Sequence, residues 1–350
     1  MREPQRFERV DGVLLAACGV EFTAAVARVE HGGGVVFERA YGATRADACG
    51  RSVFCDTRFD LASLTKLFVA TLALALVAQG RLDLDEPLAR IVAEWEQGAH
   101  ETITARMLLA HDSGMNSGAD YRAILDENVE RFALRSALLA PPGQRVIYSD
   151  LGFIALGAAI ERVAGRSLPP LVADAFGGEV GFRPREPQRR EIPATEEDDW
   201  RGRVQGVVHD EKAYLMGGVA GHAGLFGTAA SVAAMTERYL GAFAGRTSKA
   251  LPESLVREAV REQAFDAVLR RGLGWALKTN DENSCGRWFD RSSFGHTGFV
   301  GTCVWADPTR DIQGVLLTNA VYFGRDAAPS APPGLRIRFY EAIVEDLGLK

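Results

Sequence analysis

Ser63-Leu64-Thr65-Lys66 places a hydroxyl three residues ahead of an amine, at the start of an apolar run that continues through residues 67–78. If that run is a helix, residues 63 and 66 share a face one turn apart and the amine reaches the hydroxyl. A nucleophile beside a base is the minimum equipment for acyl transfer. Burial among Leu, Val, Ala and Phe is expected to lower the Lys66 pKa toward a neutral, proton-accepting amine. Asp60-Leu61-Ala62 carry no helical pattern. Ser63 therefore falls in the first turn, where unpaired N–H groups and the positive dipole end face a developing oxyanion. A serine N-cap with a snorkelling lysine would use the same two residues without chemistry. Lysine is scarce, the others being Lys212, Lys249, Lys278 and Lys350, which makes a chance pairing uncommon.

Two further clusters carry chemistry. Tyr148-Ser149-Asp150 stands before an apolar helix that starts Leu151-Gly152-Phe153. Tyr148 either presents its phenol to a cleft as a proton carrier or is a partly buried aromatic with a satisfied hydroxyl, and Asp150 is open to an N-cap role. Gly295-His296-Thr297-Gly298-Phe299-Val300-Gly301 leads into a strand. Its glycines either admit a substrate amide at a strand edge, with a second N–H for an oxyanion, or mark a bulge, with His296 a solvated loop residue.

The elements that must hold these residues follow from the pattern. Residues 6–18 read as an amphipathic helix, and 24–29 with 35–40 as a hairpin around His31-Gly32-Gly33-Gly34. Helical periodicity then runs over 63–79, 104–111, 119–139 and 150–165. Residues 183–203, charged and proline-bearing, read as a long surface loop. Strands return at 273–278, 301–306 and 312–319, and a helix over Leu335–Leu347 closes the chain. The fold class is α+β: one antiparallel sheet formed from both termini and flanked by helices, with an inserted helical lobe. Residues 1–60 and 225–350 form the sheet lobe, and 61–224 the mainly helical lobe carrying Ser63, Lys66 and Tyr148. The serine helix begins at the seam, where clefts favour ligands.

Composition excludes other classes. The 350 residues, 47% hydrophobic and 25% charged, describe a globular chain with net charge −6, against a nucleic-acid binder with its concentrated basic surface. Five cysteines without Cys-x-x-Cys spacing indicate neither a disulfide framework nor a zinc site; metal and cofactor are both expected to be none. The longest apolar run is too short to span a bilayer, and no signal peptide is read at the amino terminus. The chain is expected to be cytoplasmic if residue 1 is the native start, and periplasmic if a signal peptide has been removed.

Ser-x-x-Lys, a Tyr-x-Asn variant and a His-Thr-Gly strand, in this order, resemble the serine β-lactamase and penicillin-binding-protein superfamily. The spacing from Ser63 to Tyr148 is similar to that of the class C branch, which includes DD-peptidases, D-aminopeptidases and lactamase-like esterases. Leu108-Leu109-Ala110-His111-Asp112-Ser113-Gly114 and the segment from Gly221 to Ala229 resemble two further stretches of that branch, so the likeness runs from about residue 55 to 320. The resemblance implies a β-lactamase-like fold with Ser63 as nucleophile, Lys66 as its base and Tyr148 as the proton shuttle. The N–H groups of Ser63 and Phe299 would form the oxyanion hole, with Asp150, His296, Thr297 and Gly298 toward the substrate. Water then deacylates the serine ester.

Two residues depart from that pattern. His296 replaces the usual lysine, so a fixed cation becomes a group largely neutral at pH 7 and carboxylate recognition weakens. Asp150 replaces asparagine, and near Lys66 it would favour the ammonium unless it turns away as a cap. The stretch from Ile192 to Glu211 resembles a branch associated with cell-wall fragments; its Trp200 and paired Arg201 and Arg203 could hold an acidic muropeptide, with His209 and His222 at the pocket. The expected function is a serine hydrolase forming an acyl-enzyme with a small-molecule or peptide amide, of peptide or cell-wall origin. Alternatives are a carboxylesterase on the same scaffold and a non-catalytic penicillin- or muropeptide-binding sensor. Neither substrate identity nor oligomeric state is legible.

Overall fold

The computed structural model describes residues 7–118, 120–246, 251–265, 270–325 and 334–350. The chain begins with α1 (Glu8–Ala17) and the hairpin β1 (Ala24–His31) and β2 (Gly34–Gly42). A short β3 (Phe59–Asp60) leads through a 3-10 turn at Ala62–Leu64 into α2 (Thr65–Ala78). There follow α3 (Ala105–Leu109), α4 (Val129–Arg135), α5 (Asp150–Ala164) and α6 (Leu168–Phe176). Then come β4 (Gly181–Phe182), the pair β5 (Glu196–Asp198) and β6 (Gly202–Val204), α7 (Glu211–Leu215) and β7 (Leu225–Gly227). After α8 (Ala229–Leu240) and α9 (Glu253–Ala259), the chain returns to strands β8 (Ala264–Phe265), β9 (Arg270–Arg271), β10 (Ala276–Leu277), β11 (Phe294–Thr297), β12 (Cys303–Asp307) and β13 (Ile312–Thr318). Helix α10 (Leu335–Leu347) ends it.

The main sheet has the order β2-β1-β13-β12-β11-β10-β9-β8 and every pairing is antiparallel. The amino-terminal hairpin joins the carboxy-terminal strands through β1 and β13, so the expected sheet from both ends of the chain is the one found. Strand periodicity of two divides its side chains between two cores. Val26, Val304, Val315 and Leu317 face α8 and the helical region, whereas Ala25, Ala27, Trp305 and Leu316 pack on α1 and α10. With both faces covered, β13 is buried along its whole length, which is why its sequence runs apolar instead of alternating. Helix α2 is apolar all round and buried from Thr65 to Leu74, against α5 and α6.

Three segments differ from the sequence expectation. The 119–139 helix is broken into a 3-10 turn at Tyr121–Ile124 and α4, and residue 119 lies outside the described residues, as does residue 6. Asp120 and Asn128 each turn a side-chain oxygen onto a nearby backbone N–H, those of Arg122 and Arg131, and so restart the chain where helical periodicity alone would continue. The 183–203 loop contains the β5–β6 hairpin. Its charges are paired inward, Arg201 binding Glu196 at 3.0 Å and Asp198 at 2.7 Å, so a charged composition hides a partly buried structure. The strand expected over 273–278 shrinks to β10, because Gly274 at φ +84° breaks it in close approach to Ala70. No helix among the described residues is long and apolar enough to cross a membrane.

Candidate active site

Ser63 sits on the 3-10 turn between β3 and α2. Ala62 before it has φ 45°, a left-handed conformation that an alanine adopts only when held. The buried Asp60 carboxylate accepts the Ala62 N–H at 2.8 Å, and Thr302 Oγ1 donates to Leu61 O at 3.2 Å. The serine turn is thereby fixed to the turn between β11 and β12. Gly298 there leaves no room for a side chain: a Cβ would stand 2.1 Å from Thr302 Oγ1 and 2.9 Å from Leu61 O. The backbone N–H groups of Ser63 and Phe299 have no acceptor among the described residues.

Ser63 Oγ receives hydrogen bonds from Lys66 Nζ at 3.0 Å and Tyr148 Oη at 2.8 Å. Lys66 is fully buried, and its other two protons go to Asp150 Oδ1 at 2.8 Å and His222 O at 3.1 Å. Three donors meet three acceptors, the full capacity of an ammonium. The expectation of a depressed lysine pKa is corrected on this point. Burial does work against the charge, but Asp150 and Tyr148 outweigh it and hold Lys66 above the usual lysine range. Asp150 does not turn away as a cap; Ser149 caps α5, its Oγ accepting Gly152 N–H at 2.8 Å. Burial raises the Asp150 carboxyl, and Lys66, His222 and Lys212 together more than reverse it, leaving it below the carboxylate range. Lys212 Nζ, 3.5 Å from Asp150 Oδ2 and 3.9 Å from Asp210 Oδ2, is a second cation on the same carboxylate.

Tyr148 is placed by His111, whose ring lies 4.6 Å from the phenol ring and whose Nδ1 accepts the Ser149 N–H at 3.0 Å. Burial, reinforced by Arg271 and Lys66, pushes His111 well below the usual histidine range. His296 is a buried residue of β11, not a solvated loop residue, with Nδ1 2.8 Å from Thr297 O; burial and the same two cations push it down to about 3. His222 lines neither of the cavities at Ser63. Its ring is taken by Asp210 at 2.7 Å, and only its carbonyl reaches the site.

Two cavities meet at Ser63. One, of about 470 Å³, is bounded by Ser63, Tyr148, His296, Thr297 and Gly298, with Arg271 and Arg336 in its wall. The other, of about 240 Å³, is bounded by Ser63, Tyr148, Asp150, His209, Lys212 and Phe299. Arg271, Arg336, Lys212 and His111 were not singled out from the sequence as site residues. Lysine scarcity could have flagged Lys212, but no local pattern marks either arginine. Arg201 and Arg203, read as a muropeptide clamp, are instead bound to Glu196, Asp198 and Glu197 within their own hairpin. Among the described residues no cluster of three or more His, Cys, Asp and Glu could hold a metal ion.

The sheet, the serine turn and the converging Lys66 and Tyr148 define a class, and comparison with known proteins bears on it directly. Residues 15–334 match the beta-lactamase family, and the chain belongs to it. The N-acetylmuramyl-L-alanine amidase of Bacillus subtilis (strain 168) is 27% identical over 362 residues, covering 90% of this chain and 81% of that one. Esterase EstB of Burkholderia gladioli is 31% identical over 352 residues, 86% of each chain. A penicillin-binding protein homolog from Caulobacter crescentus has the same fold, with TM-score 0.75 over 98% of both chains at 21% identity. The protein is a serine hydrolase of β-lactamase-like type.

Proposed function

We propose that the protein cleaves an amide of peptide or cell-wall origin through an acyl-enzyme at Ser63. The observation that carries this reading is the convergence of Lys66 and Tyr148 on Ser63 Oγ, with two uncommitted N–H groups at Ser63 and Phe299. Ser63 Oγ forms a bond to the substrate carbonyl while its proton leaves. Because Asp150 holds Lys66 as the ammonium, the acceptor is the Tyr148 oxygen, with Lys66 as counter-charge. The same proton then passes to the leaving nitrogen as the C–N bond breaks. The 470 Å³ cavity, walled by Arg271 and Arg336, suits a substrate with a negative charge on that side, a function His296 cannot serve as a neutral ring. A carboxylesterase is the second reading, supported by the likeness to esterase EstB.

The test is covalent labelling with a serine-reactive phosphonate and a fluorescent penicillin, in wild type and Ser63→Ala. Label that depends on Ser63 is expected, together with turnover of N-acylated D-alanyl or muramyl peptides. No Ser63-dependent label with any acylating probe would overturn the enzyme reading. Turnover of nitrophenyl esters without any amide cleavage would leave the esterase.

A further inference from the structure

We propose that His209 positions the water that deacylates Ser63, in the cavity at Ser63 that His296 does not line. This rests on the acyl-enzyme reading above. An ester at Ser63 is released only if water is held beside its carbonyl in a fixed orientation. The 240 Å³ cavity reaches Ser63 and Tyr148, and His209 is in its wall.

His209 is built for such a task by three features of its surroundings. The residue is 2% exposed, yet neither ring nitrogen has a hydrogen-bond partner among the described residues. A buried polar ring without a partner costs stability, so its retention calls for an occupant of the cavity that bonds to it. The nearest acidic atom, Glu196 Oε1, is 3.7 Å from Nε2, beyond hydrogen-bond reach, and is itself bonded by Arg201 and Arg325. Secondly, one carboxylate locks the ring's backbone to the nucleophile's. Asp60 Oδ1 accepts the Ala62 N–H at 2.8 Å and Asp60 Oδ2 accepts the His209 N–H at 2.6 Å. Thirdly, the Phe299 ring lies 5.5 Å from the imidazole, centroid to centroid, and fixes its plane. Burial, partly opposed by Glu196, pushes His209 down to about 4, so at neutral pH the ring is an acceptor and not a cation.

In the step, the water oxygen bonds to the acyl carbon. One of its protons passes to the Tyr148–Lys66 pair, which returns it to Ser63 Oγ as the carbon–Oγ bond breaks. The other O–H donates to His209 and stays with the product acid. His209 thus orients the water without itself changing protonation state.

The experiment is rapid mixing with a nitrophenyl ester, resolving acylation from deacylation in wild type, His209→Leu and His209→Gln, with intact-mass detection of acylated Ser63. Leucine fills the site without an acceptor, whereas glutamine keeps one. His209→Leu is expected to slow deacylation by at least about tenfold, leave acylation within about threefold and accumulate acyl-enzyme, with His209→Gln recovering most of the loss. Unchanged deacylation in His209→Leu, or equal losses in both steps, would overturn the proposal. Failure of wild type to acylate at Ser63 would instead remove the reading it rests on.

Discussion

At Lys66 the decisive fact is that one buried carboxylate serves two lysines. Asp150 holds Lys66 at 2.8 Å and Lys212 at 3.5 Å, and each cation takes part of its field from the other. Lys66 and Asp150 therefore titrate as a set, with apparent values that belong to the pair. Acylation needs that set to be one proton short, so its rate rises with pH to a plateau. Asp150→Asn removes the negative charge that retains the proton. The acid limb of the acylation rate should move to lower pH, by about one unit or more. Lys212→Met returns the whole carboxylate to Lys66 and should move the limb the other way. A pH profile of phosphonate labelling measures both, and limbs that do not move would mean that Asp150 is only a strut.

At the scale of elements, the site depends on how closely a loop can approach a helix. The segment before β7 supplies His222 O to Lys66, and it reaches there because Gly221 lies on the backbone of α5. A Cβ at Gly221 would stand 2.0 Å from Phe153 O and 3.2 Å from the Gly157 Cα, so backbone must shift to admit it. Gly221→Ala is expected to lower stability by about 2–4 kcal/mol in urea denaturation and to slow labelling of Ser63 as well. A variant as stable as wild type would show that the loop has slack. The β5–β6 hairpin makes the complementary point. Its charges look like a solvated loop in the sequence, but Glu196 is 6% exposed and bonded to both Arg201 and Arg325, which ties the hairpin to the segment after β13. A buried network of this kind must be complete to be tolerated.

For the molecule as a whole, several histidines near Ser63 and Tyr148 are buried as neutral rings. His111 is held well below its ordinary value of 6.5, His209 is at about 4 and His296 at about 3. Each binds a proton in the unfolded chain from pH 6.5 downward and does not in the folded one until far lower. Stability from these groups is present above pH 6.5 and is lost as pH falls toward their folded values. Asp60 runs the other way: burial raises it from 3.8 to about 6, so the folded state binds its proton more tightly and gains on acidification over that range. Three imidazoles against one carboxyl leave roughly two protons in favour of the unfolded state near pH 5, at about 1.4 kcal/mol per proton per pH unit. Urea denaturation at pH 7 and pH 5 should show lower stability at pH 5. Equal or higher stability at pH 5 would mean that the rings are not held neutral.

Ser63, Lys66, Tyr148 and the His296-Thr297-Gly298 strand were legible because each depends on its own neighbours. A three-residue spacing puts serine and lysine on one turn, a cap starts α5, and glycines end a strand. The same local logic gave the hairpin β1–β2, helix α5 and helix α10, and pointed to a sheet joining the two ends of the chain. Other features depend on residues far apart in sequence. Asp150 lies 84 positions from Lys66, and Lys212 further still, so the proton retained on Lys66 is a property of the folded cluster. Arg271 and Arg336 enter one cavity wall and His209 the other for the same reason. The sequence by itself determined the family and the spacing of the serine, lysine and tyrosine on which the acyl-transfer proposal rests, since these follow from local pattern. The tertiary structure alone decided which groups carry protons and which walls carry charge, because burial and Coulomb interactions act through space between residues far apart in sequence.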